Sequence, residues 1–266
     1  MESTKQVKWL TGYTAILVTV LALNFPWADL PNQASYAAIF SIALGIGGWA
    51  SKKIDAVGAA VGVVLTYAMF LGGGWQGIGL MFTFFVLGSL ASRFRKSEKI
   101  NAGLEQENAG KRTLINALAN GGIAGLCGLV AWIVPEHQSE FVVAMTASIT
   151  SALGDTCSSE LGNVWGKRYI HIFTFKADQR GKDGVISLEG SLAGISGSLF
   201  IALMFGGPSW LIIWVAGILG NVMDSLLGGS FQQKGLLDND LVNLLSTLFA
   251  ALIAYFFYLG ALTFTL

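Results

Sequence analysis

Apolar stretches of near-bilayer length recur along the chain, at roughly 9–25, 35–51, 55–72, 76–92, 114–134, 140–161, 186–205, 208–227 and 241–264. Short polar or glycine-rich breaks separate them. A helix needs about 20 mostly apolar residues to cross the hydrocarbon core. The pattern predicts an all-α, polytopic helical membrane protein of about nine transmembrane helices, folded as one integral membrane domain over 1–266. The N-terminal run MESTKQVKWLTGY enters the first stretch without a small-residue cleavage site, so it reads as a retained helix and not a signal peptide.

The breaks alternate in charge. Lys5 and Lys8 precede the first stretch, and Lys52 and Lys53 separate the second from the third. Arg93, Arg95, Lys96, Lys99, Lys111 and Arg112 follow the fourth. Lys167, Arg168, Lys176, Arg180 and Lys182 follow the sixth, and Lys234 the eighth. The breaks at 26–32, 72–74, 135–140 and 206–207 hold no lysine or arginine. Cytoplasmic loops collect these cations. The N-terminus is therefore expected in the cytoplasm and the C-terminus outside, with cytoplasmic loops at about 93–113, 163–185 and 228–240.

Composition agrees with the membrane reading. Charged residues make up 12% of the chain and apolar residues 53%, whereas soluble proteins carry about 25% charge. The formal net charge is zero, so no basic field speaks for nucleic acid. Cys127, Cys157, His137 and His171 offer neither a disulfide framework nor zinc-ligand spacing. A homo-oligomer is compatible with the sequence.

Chemistry concentrates where polar residues enter the apolar stretches. In the run from Ser148 to Lys167, Asp155 and Glu160 are carboxylates near the end of a span, a costly placement that marks function. On a helix, Asp155, Ser159, Gly162 and Gly166 form one stripe ending in Lys167 and Arg168. Carboxylates for a metal, glycines for close backbone approach and cations for phosphoryl oxygens suit a phosphate with Mg²⁺. The alternative is a small-residue packing face with Asp155 paired to a neighbouring helix.

Two further runs fit the same chemistry. Lys182, Gly184, Ser187, Glu189, Gly190 and Ser191 set glycines and hydroxyls at a helix start, which suits phosphate binding. The same residues also read as an ordinary helix start with Ser187 as N-cap and Gly190 and Gly194 as packing residues. Asn221 and Asp224 share a face inside a span, and Asp238, Asn239, Asp240 and Asn243 cluster at the start of the last one. Oxygen-rich sets of this kind suit Mg²⁺, although Asp238 also fits an N-cap. Lys111 and Arg112 are either membrane anchors or substrate-binding cations, and Asn116 and Asn120 call for polar partners inside their span.

The blocks GDTCSSELG, GKDGVISLEGSLAG, MDSLLGGSFQ and LLDNDLVNLLST, with GKRTLINALANGG upstream, resemble the phytyl-phosphate kinase family, which includes the transmembrane protein 19 proteins. The resemblance covers roughly 75–260. More distantly, Asp155, Gly162 and Gly166 meet the D-x-x-A-x-x-x-G-x-x-x-G pattern of CTP-dependent polyprenol kinases such as dolichol and phytol kinases, with Ser158 in place of alanine. Glu189, Gly190 and Ser191 meet their E-G-S/T block. The stretch ADQRGKD over 177–183 departs from the nearer family's proline- and threonine-bearing loop, which points to changed contacts with nucleotide or substrate.

The resemblance implies an enzyme that phosphorylates a prenyl monophosphate, such as the phytyl phosphate of phytol salvage towards tocopherol, to the diphosphate. CTP is implied ahead of ATP as donor. Asp155, Glu160 and Asp224 would hold Mg²⁺ and act in catalysis. Gly162, Gly166, Lys167, Lys182, Gly184, Ser187, Glu189, Gly190 and Ser191 would hold the nucleotide, and Lys111, Arg112, Asn120, Asn221, Asn239 and Asn243 the acceptor. The protein would sit in a bacterial or archaeal inner membrane, or a plastid envelope, with its site facing the cytoplasm. A transporter or lipid flippase, and a cytidylyltransferase making a CDP-lipid, are the competing functions.

Overall fold

The structure, a computed structural model, describes residues 32–104 and 112–265. The expected span 9–25, Lys5, Lys8 and Lys111 lie outside these residues. Eight helices follow in order: α1 (Asn32–Ala50), α2 (Ala56–Arg93), α3 (Lys96–Asn101), α4 (Leu114–Ile133), α5 (Gln138–Trp165), α6 (Leu188–Phe205), α7 (Trp210–Leu227) and α8 (Asn239–Thr265). Among the described residues, five segments, Ala56–Arg93, Leu114–Ile133, Leu188–Phe205, Trp210–Gln232 and Asn239–Thr263, are long and apolar enough to cross a membrane. The chain is an all-α membrane protein.

Local sequence explains where the helices start. The Asp55 carboxylate accepts from the Gly58 amide at 2.6 Å and opens α2. Thr113 and Asn116 form a reciprocal capping box at α4, which satisfies two amide groups that the first turn leaves without partners. Ser187 caps α6 by accepting from the Gly190 amide at 3.1 Å, and Asp238 accepts from the Leu241 amide at 2.8 Å.

The expected spans 55–72 and 76–92 lie together in α2, which breaks at Gly74 with φ 60° and ψ −152°. A Cβ on Gly77 would collide with the Met69 carbonyl. In a straight helix those positions would lie about 12 Å apart along the axis. The chain therefore folds back at Gly74, a conformation that only glycine adopts without strain.

α5 is the central helix and packs against α2, α4, α6, α7 and α8. It is not among the five most apolar segments, and the reason is its hydroxyl content. Thr146, Ser148, Thr150 and Ser151 are all fully buried within the protein. Neighbouring helices shield this polar strip from lipid, while Phe200, Leu211, Phe256 and Phe257 face outward. Met69, Leu80, Met145, Ile149, Leu153 and Ile201 fill the core around α5.

One non-helical element was not anticipated. Strands β1 (Tyr169–His171) and β2 (Val185–Ser187) pair antiparallel, with Tyr169 opposite Ser187 and His171 opposite Val185. This ribbon carries the loop between α5 and α6 and feeds directly into the α6 cap.

Candidate functional site

The site forms where α5, α7 and α8 converge. The Asp155 carboxyl on α5 and the Asp224 carboxyl on α7 lie within hydrogen-bonding reach of each other. From α8, the almost fully buried Ser246 donates to Asp224 Oδ2 at 3.4 Å. Asp224 lies one turn before the end of α7, so the pair sits towards the end of the bundle that carries the basic loops.

Glu160 takes a different partner. Its Oε2 accepts from Lys99 Nζ at 2.5 Å, and both side chains are almost fully buried. Lys99 also donates to the carbonyls of Ala91 at 3.3 Å and Ser92 at 2.8 Å, so all three ammonium hydrogens have acceptors. Glu160 remains close enough to act electrostatically on Asp155 and on Arg112. The Arg112 guanidinium lies over the rings of Phe84, at 4.8 Å, and Phe85, at 5.6 Å. Among the described residues, no group of three or more His, Cys, Asp or Glu side chains is assembled as a metal cluster. Asp155 and Asp224 are the two acids of the candidate site that face each other.

The glycine-rich blocks bring α5 and α6 together. A Cβ on Gly162 would sit 2.9 Å from the Gly190 Cα, and one on Gly190 would sit 2.8 Å from the Ser158 carbonyl. Beside this junction, Asn221 Nδ2 on α7 donates to Ser158 Oγ on α5 at 2.7 Å. The serine that replaces the alanine of the polyprenol kinase pattern is thus bonded to a neighbouring helix. Tyr169 fills the space beside Gly166, and its hydroxyl donates to the Gly162 carbonyl at 2.9 Å.

The remaining candidates surround this centre. Glu189 Oε2 accepts from the Lys167 amide at 3.3 Å. Lys182 is exposed and bonds Asp178 at 3.0 Å. Ser191 is partly buried in the first turn of α6. Gly184, at φ 68°, packs directly on Gly229 beyond α7. That contact carries Asp183 to within electrostatic reach of Asp224. On the α4–α8 side, Asn116 Nδ2 donates to Asp240 Oδ1 at 2.7 Å and Asn120 Nδ2 to the Asn116 carbonyl at 3.1 Å. Asn243 is buried, and Asn239 is exposed at the start of α8.

Sequence reasoning overlooked three participants. Lys99 looked like another loop cation, Asp183 lay in the loop next to the chosen Lys182, and Ser246 sat unremarked inside the last span. A buried polar residue facing an acid cannot be recognised from spacing when that acid is on another helix.

The sequence has relatives among known proteins. A family model described as integral membrane protein DUF92 matches residues 39–251. An uncharacterized membrane protein of Methanocaldococcus jannaschii is 34% identical over 218 residues, covering 78% of this chain and 87% of the relative. An uncharacterized membrane protein of Synechocystis sp. is 30% identical over 88% of this chain and 92% of its own length. The protein named VTE6, chloroplastic, of Arabidopsis thaliana is 29% identical over 76% of this chain and 64% of its own length. No solved structure matches. These relatives uphold the resemblance seen in the motifs.

Proposed function

Because the chain belongs to the integral membrane protein DUF92 family, we propose that it is a membrane-embedded prenyl-phosphate kinase, with CTP as the donor and phytyl phosphate or a similar prenyl monophosphate as the acceptor. An oxygen of the acceptor phosphate attacks the γ-phosphorus of the nucleotide. The bond to the β-bridging oxygen breaks, and the products are the prenyl diphosphate and the nucleoside diphosphate.

The observation that carries this reading is the Asp155–Asp224 pair, two acids on separate membrane helices at the basic-loop end of the bundle. Mg²⁺ is commonly held by one or two carboxylates together with substrate phosphates, and this donor set fits it. Bound there, Mg²⁺ would supply neutralisation of the phosphate charge. Ser246 holds Asp224 in place, and Glu160, paired with Lys99, stays outside the first set of ligands.

The ribbon loop with Lys182 and Gly184, together with Lys167, holds the nucleotide phosphates, while Gly162 and Gly190 act by letting α5 and α6 approach. The acceptor is already an anionic phosphate, so the transfer needs positioning and charge stabilisation and no strong base. The site faces the cytoplasm, where the nucleotide is found, and the prenyl tail lies between helices in the bilayer. In this reading the expected nine spans leave the C-terminus outside.

The test is an assay of purified protein with labelled CTP or ATP, Mg²⁺ and a panel of prenyl monophosphates. Labelled prenyl diphosphate with release of CDP supports a kinase. A CDP-lipid with pyrophosphate points to the cytidylyltransferase instead, and no product with any acceptor refutes both.

A further inference from the structure

Arg180 lies in the loop that β1 and β2 carry, and backbone contacts fix where that loop sits. The His171 amide donates to the Lys176 carbonyl at 3.0 Å and the Asp178 amide to the Tyr169 carbonyl at 3.1 Å, so the chain folds back along β1. Gly181, at φ 80°, then packs against the Leu104 side chain just beyond α3. Arg180 is thus pinned between two anchored neighbours, Asp178 and Gly181.

Both ends of the loop reach the helices that carry the acidic pair. The Tyr169 hydroxyl donates to the Gly162 carbonyl, two turns beyond Asp155 on α5 and about 10 Å along its axis. At the other end, the Asp183 Cβ lies 3.7 Å from where a Cβ on Gly228 would stand. The Gln233 side chain donates to the Asp183 carbonyl at 2.6 Å, and the Gly228 amide donates to the Asp224 carbonyl. The loop therefore spans from the α5 of Asp155 to the α7 of Asp224.

Within that span Arg180 lacks an acceptor. Its Nε is buried with no hydrogen-bond partner, and among the described residues no carboxylate forms an ion pair with its guanidinium. The acids closest to it in the ribbon are engaged. Asp178 accepts from Lys182 at 3.0 Å and from the Gln179 amide at 2.8 Å, and Glu189 accepts from the Lys167 amide. The Tyr169 hydroxyl, within electrostatic reach of the guanidinium, is a neutral phenol and supplies no counter-charge. A guanidinium donor withdrawn from water and left unpaired is costly. Phosphate is the acceptor that its planar fork fits.

We propose that Arg180 binds the phosphate chain of the nucleotide. The inference rests on the kinase reading for the identity of that ligand. Position favours the nucleotide over the prenyl acceptor. The loop is a polar connection between α5 and α6 that also holds Lys182, whereas the acceptor's tail confines it to the membrane helices.

The test measures equilibrium binding of CTP, inorganic tripolyphosphate and farnesyl monophosphate, each alone with Mg²⁺, to the full chain in phosphatidylcholine nanodiscs. Arg180→Gln, with its fold checked by the ligand-free melting temperature, is expected to bind CTP and tripolyphosphate at least about tenfold more weakly. Its binding of farnesyl monophosphate should match the wild type. Arg180→Lys keeps the charge without the fork and should fall between the two. Unchanged binding of CTP and tripolyphosphate by Arg180→Gln overturns the proposal, and so does a loss confined to farnesyl monophosphate. A wild type that binds neither CTP nor tripolyphosphate overturns it as well. A second measurement needs no variant: saturating tripolyphosphate should slow the modification of Arg180 by phenylglyoxal, read by mass spectrometry, and an undiminished rate overturns the proposal. No turnover is read, so a chain that binds tripolyphosphate through Arg180 but transfers phosphate to no acceptor would sink the kinase reading and leave this site standing.

Discussion

Lys99 reaches from the short helix α3 to Glu160 on α5, with Nζ 2.5 Å from Oε2 and both side chains removed from solvent. This contact ties the basic loop after α2 to the central helix. It also holds the Glu160 carboxylate on a buried ammonium.

Breaking that pair from one side should be costly. Lys99→Met leaves a buried carboxylate without its cation and is expected to lose about 3–5 kcal/mol of stability. The double replacement Lys99→Met/Glu160→Leu removes both charges and should recover much of the loss. Unfolding of the three proteins in detergent checks this, and a double variant no better than the single would contradict it.

The α5–α6 crossing gives a second expectation. At Gly190 a side chain would meet the Ser158 carbonyl and the Gly162 Cα, both backbone atoms that cannot yield. Gly190→Val should therefore destabilise by about 1–3 kcal/mol through overpacking. A melting temperature equal to that of the wild type would show that the helices are less closely apposed.

Much of this architecture was legible in the sequence because lipid imposes a simple rule: apolar segments of fixed length mark helices. Even the fold-back at Gly74 was foreshadowed by the Gly72–Gly74 break between two expected spans. The ribbon was not, since strands of three residues inside a polar loop carry too little alternation to be seen. Asp155 and Asp224 stood out as acids in apolar surroundings, but nothing in their spacing revealed that they meet. The Lys99–Glu160 pair joins residues 61 positions apart, and the lysine resembled the loop cations around it. The small residues were visible as a stripe, and only the packing reveals that Gly162 and Gly190 face each other.

The ribbon loop yields a pH expectation. Asp178 is held below the usual carboxylate range, first by the Gln179 amide and then by Lys182. A carboxylate with a depressed folded value contributes order above its unfolded value, and that contribution is lost as pH falls through the folded value. Hydrogen exchange at the Gln179 amide, corrected for its intrinsic pH dependence, should stay equally protected from neutrality down to about pH 4 and lose protection only below that. A change in protection between pH 6 and 8 would count against the contact.

Asn221 and Ser158 supply a fourth expectation. Their hydrogen bond crosses the α5–α7 junction inside the bundle. Such bonds between membrane helices contribute on average about 0.6 kcal/mol in double-mutant cycles. A cycle over Asn221→Ala and Ser158→Ala should give a coupling of that order, and a coupling of zero would show that the two side chains act independently.

The central claim is that Asp155 and Asp224 form the working core of a phosphoryl-transfer site. The most direct measurement is transfer from labelled nucleotide to prenyl monophosphate by the wild type and by Asp155→Asn and Asp224→Asn, with melting temperature followed in parallel. The account predicts prenyl diphosphate from the wild type, and a fall of at least about 10²–10³-fold in each variant with the fold retained. Undiminished transfer by either folded variant would contradict it.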